Sequence, residues 1–292
     1  MKIAQLSLPR SRSECLFNML APIAKQCGME VHRPSGGNYY YIDNDDINPN
    51  MFCKIDTRTP LDRFERIVEQ FTEHTWWVST REFEDFCLSL SYALSSGQFH
   101  DFKVREYTQF EILYDHYRYA VELYNKFHTM CDMIPEKTIM QYHKISSAGN
   151  TRHNEKNYKE LCSNYDEFRD WQRVDYIMGL DNWTRKWNCY SSFDQRDLQE
   201  NPLFSDIAEG NVRMWFNVYG PGDSQDWHTH DGVKSCGTRF LQIPPNSGKM
   251  CFKGWNQKNI QHTQVEFGPN DKHRVTTNRS DQYRITVSWN VL

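Results

Sequence analysis

Nowhere in the 292 residues is there an apolar run approaching the roughly 18 that a membrane-spanning helix needs. The opening stretch, residues 1–10, is too short and too interrupted for a secretory leader, so a soluble, cytoplasmic protein is expected. Nine cysteines are spread evenly, and none forms a Cys-x-x-Cys pair. That spread argues against a disulfide framework or a zinc ribbon and suits reduced core thiols. Neither sign of charge dominates: 34 Lys and Arg stand against 38 Asp and Glu, a formal charge of −4. Such a balance gives no support for nucleic acid as a partner. There is no internal repeat. Apolar residues at 38%, with 14% aromatic, suffice to fill a folded core.

The chain reads as two halves of different texture. Residues 2–8 are apolar enough for a buried strand. A helix comes next, in which Cys15, Leu16, Met19, Leu20, Ile23 and Ala24 recur at steps of three and four. Residues 51–56 suit a second strand, Pro60 opens a helix, and the pattern from Leu61 to about Met133 is mainly helical. Its aromatic positions (Phe110, Tyr114, Tyr117, Tyr119, Tyr124, Phe127) fall at core spacing. Residues 139–142 suit a third strand, and the acidic run at 43–46 suits a solvated turn. Polar residues 146–165 read as a linker or exposed loop, and 165–205 as helices packed against the C-terminal part. After 208 the chain breaks into short strands at 212–219, 238–243, 249–253, 263–267, 273–277 and 283–291. Gly/Pro/Asn/Asp turns at 220–223, 244–248 and 268–271 separate them. So many short strands in so few residues predict a small jelly roll or barrel.

Three of the eleven histidines lie in this β-rich half in an informative pattern. His228 and His230 are two apart, which puts both imidazoles on one face of an extended strand. His273 opens a later strand, and Arg284 begins the last one. Three neutral imidazoles suit Fe, Zn, Cu or Ni and leave coordination positions open. A fixed guanidinium at the same barrel mouth suits bidentate capture of a carboxylate. Asp231 is one step too far along to share the histidine face, and Trp227 suits a pocket wall.

With Trp215, Asn217 and Gly222 before His228 and His230, Pro245 and Gly248 after them, then His273-x-Val275 and Arg284-Ile285-Thr286-Val287-Ser288-Trp289-Asn290-Val291, residues 208–292 resemble the Fe(II)/2-oxoglutarate-dependent oxygenases. The resemblance implies a double-stranded β-helix with Fe(II) on His228, His230 and His273. It also implies 2-oxoglutarate held by Arg284, Thr286 and Asn217, and hydroxylation of an organic substrate. The commoner pattern of that family has a carboxylate where His230 stands. A three-His set also suits a cupin-like metal- or ligand-binding module without oxidative chemistry.

At the other end, the strand at 2–8 runs into Pro9-Arg10-Ser11-Arg12-Ser13 and a helix, an arrangement that offers backbone N–H groups, cations and hydroxyls to an anion. With residues 52–64, in which Arg58, Pro60, Asp62 and Arg63 come after a strand, this resembles the P-loop sulfotransferases. The resemblance implies PAPS or PAP as a ligand, with phosphate bound at Arg10, Ser11, Arg12, Ser13 and Arg58, and sulfuryl transfer as an alternative activity. Arg12 stands where the family has Gly, and His32 is a nearby candidate base. The plainer reading is a helix capped by Ser13 with Glu14 in its first turn. The expected architecture is therefore α/β plus all-β: a helix-rich P-loop-like domain over 1–150, then a double-stranded β-helix over 165–292 with its core at 208–292.

Overall fold

The computed structural model describes residues 1–10, 13–31, 48–52, 54–97, 109–141, 158–180, 184–186, 188–191 and 195–292, with only the backbone of 13–14, 186 and 195–197. Contacts divide the chain into two units, Met1–Asn164 and Tyr165–Leu292. Among the described residues no helix is long and apolar enough to cross a membrane.

The first unit contains β1 (Lys2–Ser7), α1 (Ser13–Gln26), β2 (Glu30–Val31), β3 (Met51–Phe52), β4 (Lys54–Asp56), α2 (Leu61–Gln70), β5 (His74–Thr80), α3 (Phe83–Ser96), α4 (Tyr114–Asp132), β6 (Lys137–Gln141) and α5 (Tyr158–Leu161). Four strands form a sheet in the order β4-β1-β5-β6, all parallel. β1 lies inside this sheet, and Ile3 to Ser7 are all buried. That burial explains its near-continuous apolar sequence. α1 buries Leu16, Phe17, Leu20, Ala21 and Ala24, whereas Met19 and Ile23 stay exposed, so the apolar stripe sits one step round from the expected one.

β5 corrects the helical reading of 61–133. Thr75-Trp76-Trp77-Val78 is a β-branched and aromatic run, and it lies next to β1. Trp76 is buried edge-on to Phe64 at 5.8 Å. Within the strand expected at 51–56, residues 51–52 are β3 and 54–56 are β4, and Cys53 between them lies outside the described residues. Among the α4 aromatics Tyr117 and Phe127 are buried, but Tyr114 and Tyr119 are exposed. The acidic run at 43–46, His32 and most of the linker at 146–165 lie outside the described residues.

The second unit contains α6 (Tyr165–Met178), β7 (Thr184–Lys186), β8 (Cys189–Ser191), α7 (Gln195–Glu200), β9 (Val212–Tyr219), β10 (Gln225–His228), β11 (Ser235–Gln242), β12 (Met250–Phe252), β13 (Gln264–Phe267), β14 (His273–Val275) and β15 (Arg284–Val291). Two antiparallel sheets result, one ordered β13-β11-β15-β9-β8-β7 and the other β10-β14-β12. Their side chains alternate, as a strand's period of two requires. Met214, Phe216 and Val218 of β9, with Ile285, Val287 and Trp289 of β15, pack with Ile177 of α6 and Leu198 of α7. A second apolar cluster joins the two sheets through Tyr219, Phe240, Met250, Phe252, Phe267 and Val275. The residues that alternate with the first cluster on β9 and β15 are mostly polar, and they form one wall of a cavity.

A buried ionic network ties α6 to the large sheet. Asp170, fully buried, accepts from Arg173 at 2.6 Å, from both ends of the Arg239 fork at 2.8 and 2.9 Å, and from His262 Nδ1 at 3.1 Å. Burial alone would raise this carboxyl. The hydrogen bonds from His262 and Arg239 and the charges of Arg239 and Arg173 hold it below the ordinary value instead.

Among the described residues no cysteine forms a disulfide. Burial, the largest cause, pushes the Cys131 and Cys189 thiols up to about 12 and Cys236 up to about 11. At neutral pH all three are thiols rather than thiolates, which leaves them poor nucleophiles and metal ligands.

Candidate metal centre and anion pocket

His228, His230 and His273 converge, with one nitrogen from each within 4.8 Å of the others. Cross-strand pairing brings two of them together, since His228 of β10 is the direct partner of His273 of β14. The ladder ends at His228, so His230 lies beyond the strand rather than on it. Its backbone N–H donates to Pro269 O at 2.9 Å, which holds it beside the others.

His228 Nδ1 lies 2.8 Å from Asp226 O, and His273 Nδ1 lies 2.8 Å from Asp271 O. A carbonyl only accepts, so each Nδ1 carries the proton and each Nε2 keeps its lone pair. Hydrogen bonds of this kind fix the ring orientation of metal-ligating imidazoles. The Nε2 atoms of His230 and His273 are 3.4 Å apart. Facing lone pairs at this separation repel, and a proton on His230 or an ion between the rings relieves that repulsion.

The surroundings keep the His230 and His273 rings neutral. Phe267 lies 4.7 Å from the His273 ring, Phe252 5.5 Å from it, and Trp215 6.1 Å from the His230 ring. Burial in this shell lowers His230 and His273 to about 4, with the neighbouring imidazoles adding to the effect. Neutral imidazole is the metal-binding form. Asp231 is exposed, and among the described residues no carboxylate joins the cluster.

The histidines line a cavity of about 440 Å³. Its far wall is made by inward-facing residues of β9 and β15, where Tyr219, Asn217 and Trp215 are paired with Arg284, Thr286 and Ser288. Asn217 Nδ2 donates to Ser288 Oγ at 3.2 Å, and its buried Oδ1 has no hydrogen-bond partner among the described residues.

Arg284 is 0% exposed. Its Nη2 donates to Asn259 Oδ1 at 2.8 Å and its Nη1 to Gly248 O at 3.3 Å, while Phe240 lies beneath the guanidinium at 5.5 Å. Its Nε has no partner, and no carboxylate pairs with it among the described residues. Burial depresses it to about 10, with Tyr219 opposing that shift. Leaving a cation buried without a counter-ion costs several kcal/mol, so the site is matched to an incoming anion. Gly248 makes this wall possible: its φ is +83°, and a Cβ there would overlap Thr276 O.

Sequence reasoning singled out His228, His230, His273, Arg284, Thr286 and Asn217, and the structure places all six on this cavity. It missed Asn259, which lies between β12 and β13 and carries no periodicity. It also missed the carbonyls of Asp226 and Asp271, which are backbone groups without a residue signature. Trp227 forms part of the cavity rim, 39% exposed, with Arg274 stacked over its ring at 4.8 Å.

The candidate phosphate residues fare differently. Ser11 and Arg12 lie outside the described residues, as does the Ser13 side chain. Arg10 has φ +63° and donates from Nε to Ser89 Oγ at 3.0 Å and from Nη2 to Tyr158 OH at 3.1 Å. Arg58 is paired with the Asp56 carboxylate at 2.9 Å. Both side chains are thus engaged within the protein, and a sulfotransferase loop gains no support from them.

No family model matches the chain, and no curated protein is similar to it. Among solved structures it is similar to a cupin 2 conserved barrel domain protein from Salinispora arenicola, 15% identical over 39% of this chain and 85% of that one, with a TM-score of 0.29. A cupin domain from Bordetella pertussis is 15% identical over 30% and 88%, with a TM-score of 0.23. An oxidoreductase of the 2OG-Fe(II) oxygenase family from Burkholderia pseudomallei is 12% identical over 41% and 75%, with a TM-score of 0.31. At these TM-scores nothing about function can be taken from the likeness, and the functional reading rests on the site itself.

Proposed function

We propose that the second unit is a non-haem Fe(II)/2-oxoglutarate-dependent oxygenase. His228, His230 and His273 hold the iron, and Arg284, helped by Thr286 and Asn217, holds the far carboxylate of the oxoacid. One observation carries this reading: three imidazoles share a cavity with a fully buried guanidinium that has no carboxylate partner among the described residues. The donor set fits iron, and the unpaired cation fits a dicarboxylate.

With 2-oxoglutarate, the iron would activate dioxygen, one oxygen atom going to a C–H bond of the organic substrate and the other to the succinate left as the oxoacid loses CO2. The protein's own part is positional. The Asp226 and Asp271 carbonyls fix the Nδ1–H tautomers of His228 and His273 and so point their Nε2 lone pairs at the ion. Asn259 and Gly248 hold Arg284 in place for a carboxylate. Trp215, Phe252 and Phe267 keep water from the rings.

The absence of a carboxylate from the ligand set favours a second reading, a cupin-like module that binds a metal and ligand without oxidation. Anaerobic addition of Fe(II) and then 2-oxoglutarate to the metal-free protein separates the two. The oxygenase reading expects a visible metal-to-ligand charge-transfer band that Arg284→Ala abolishes while iron is still taken up. Metal uptake without any band favours the second reading, and failure to take up iron, zinc, copper or nickel rules out both.

A further inference from the structure

Beside the cavity lies an open groove of about 960 Å³ that shares Gln225, Asp226 and Val275 with the cavity wall. Its charge is one-sided. Lys249, Lys258, Arg274 and Arg279 line it, against the single carboxylate of Asp226, in a chain whose formal charge is −4. None of the four cations forms an ion pair among the described residues, and the Arg274 guanidinium rests over the Trp227 ring. Clustering like charges without partners is unfavourable in the empty protein and becomes favourable when an anion enters.

A second observation points the same way. Ser247 is 1% exposed and lines the groove, and its hydroxyl has no hydrogen-bond partner among the described residues. A buried hydroxyl left unsatisfied is unfavourable, and a ligand oxygen in hydrogen-bond contact removes that cost.

The placement connects this groove to the chemistry. On β14 His273 and Arg274 are consecutive and face opposite sides of the strand, and Val275 lines both the cavity and the groove. Arg274 reaches the cavity rim through Trp227.

We propose that the organic substrate of the cavity is a small polyanion of the phosphate-ester class. Its charged group lies in the groove among Lys249, Lys258, Arg274, Arg279 and Ser247, and its reacting carbon extends past Trp227 into the cavity. This rests on the oxygenase reading for the reaction, but not for the binding. A phosphate ester brings close to two charges and several acceptor oxygens in one group, which suits four cations and an unpaired hydroxyl better than a monocarboxylate does.

The test uses metal-free full-length protein and inorganic tripolyphosphate, with binding read by calorimetry at two salt concentrations. Binding that weakens with salt is expected, and it should fall at least about tenfold in Lys258→Glu/Arg279→Glu. Lys253→Glu/Lys272→Glu, an equal charge change at positions outside the groove, should lose much less. Ser247→Ala should weaken binding without any change of charge. No binding, equal losses in the two double variants, or binding of long single-stranded DNA but not tripolyphosphate would overturn the proposal. The iron and 2-oxoglutarate band, recorded in parallel, keeps the two readings apart. A band without tripolyphosphate binding sinks the substrate assignment alone, and tripolyphosphate binding without a band sinks the oxygenase reading alone. Thermal midpoints matching the wild type show that the variants are folded.

Discussion

Gly237 on β11 sits directly across the ladder from Trp289 on β15, and the indole occupies the space where a side chain at 237 would begin. Both residues border the cavity. Gly237→Ala must therefore displace the indole or the strand, and overpacking of this kind costs about 1–3 kcal/mol. Urea unfolding should show the loss in midpoint, and the tryptophan emission should shift. An unchanged midpoint would mean that the indole moves aside freely.

Asp170→Asn leaves three cationic or ring donors around a neutral amide, and breaking a buried ion pair in this way costs about 3–5 kcal/mol. The lowered carboxyl sets the sign of the pH dependence. The unfolded chain binds the proton more readily, so the stabilisation is complete above the ordinary carboxyl value of 3.8 and is lost as pH falls below it. Chemical denaturation of both proteins should show a gap that is constant from pH 7 to about pH 5 and closes in stronger acid. A gap that widened in acid would contradict the network.

Arg284→Met removes a buried charge that has no counter-ion among the described residues and replaces it with an apolar chain. In the metal-free protein the change should be neutral, or stabilising by about 1–4 kcal/mol. The same change should weaken 2-oxoglutarate binding to the iron-loaded protein by about 100-fold, as the loss of a buried charged hydrogen-bond partner does. Thermal unfolding and calorimetry on one preparation test both halves. A large destabilisation would show that the guanidinium is structural.

Asn259→Asp offers Arg284 the carboxylate it lacks, at the position where Asn259 Oδ1 now accepts from Nη2. It also deletes the Nδ2 bonds to Met250 O and Gln257 O, worth about 1 kcal/mol each. The new internal ion pair should compete with an anionic ligand, raising the KM for 2-oxoglutarate about tenfold while kcat changes little. An unchanged KM would place the oxoacid elsewhere.

The cavity is legible in the sequence because most of its residues sit on regular strands. The polar–apolar alternation through Arg284, Ile285, Thr286 and Val287 reflects the two-residue repeat and can be read directly, whereas His230 falls past the end of β10 and is placed by its backbone bond to Pro269 O. The strand at Trp76 is hidden because helical stretches flank it on both sides and it is only seven residues long. The α1 stripe is misplaced by one step because Phe17 and Ala21 compete with Met19 and Ile23 for the same periodicity, and only packing decides between them. Asn259 and the orienting carbonyls have no sequence signal, since their roles come from loop path and backbone. In the first unit Arg58 is the right residue type for an anion ligand, but the fold turns it back onto Asp56, two residues earlier.

β15 behaves as a reading frame. Ile285 and Val287 pack in the helix-side core, while Arg284, Thr286 and Ser288 line the cavity. A slip of one residue would send the guanidinium into the apolar core and an isoleucine into the anion pocket. Single-residue insertions or deletions between Asn278 and Tyr283 therefore have no graded outcome: either the turn absorbs the change and the frame is kept, or core and site are lost together.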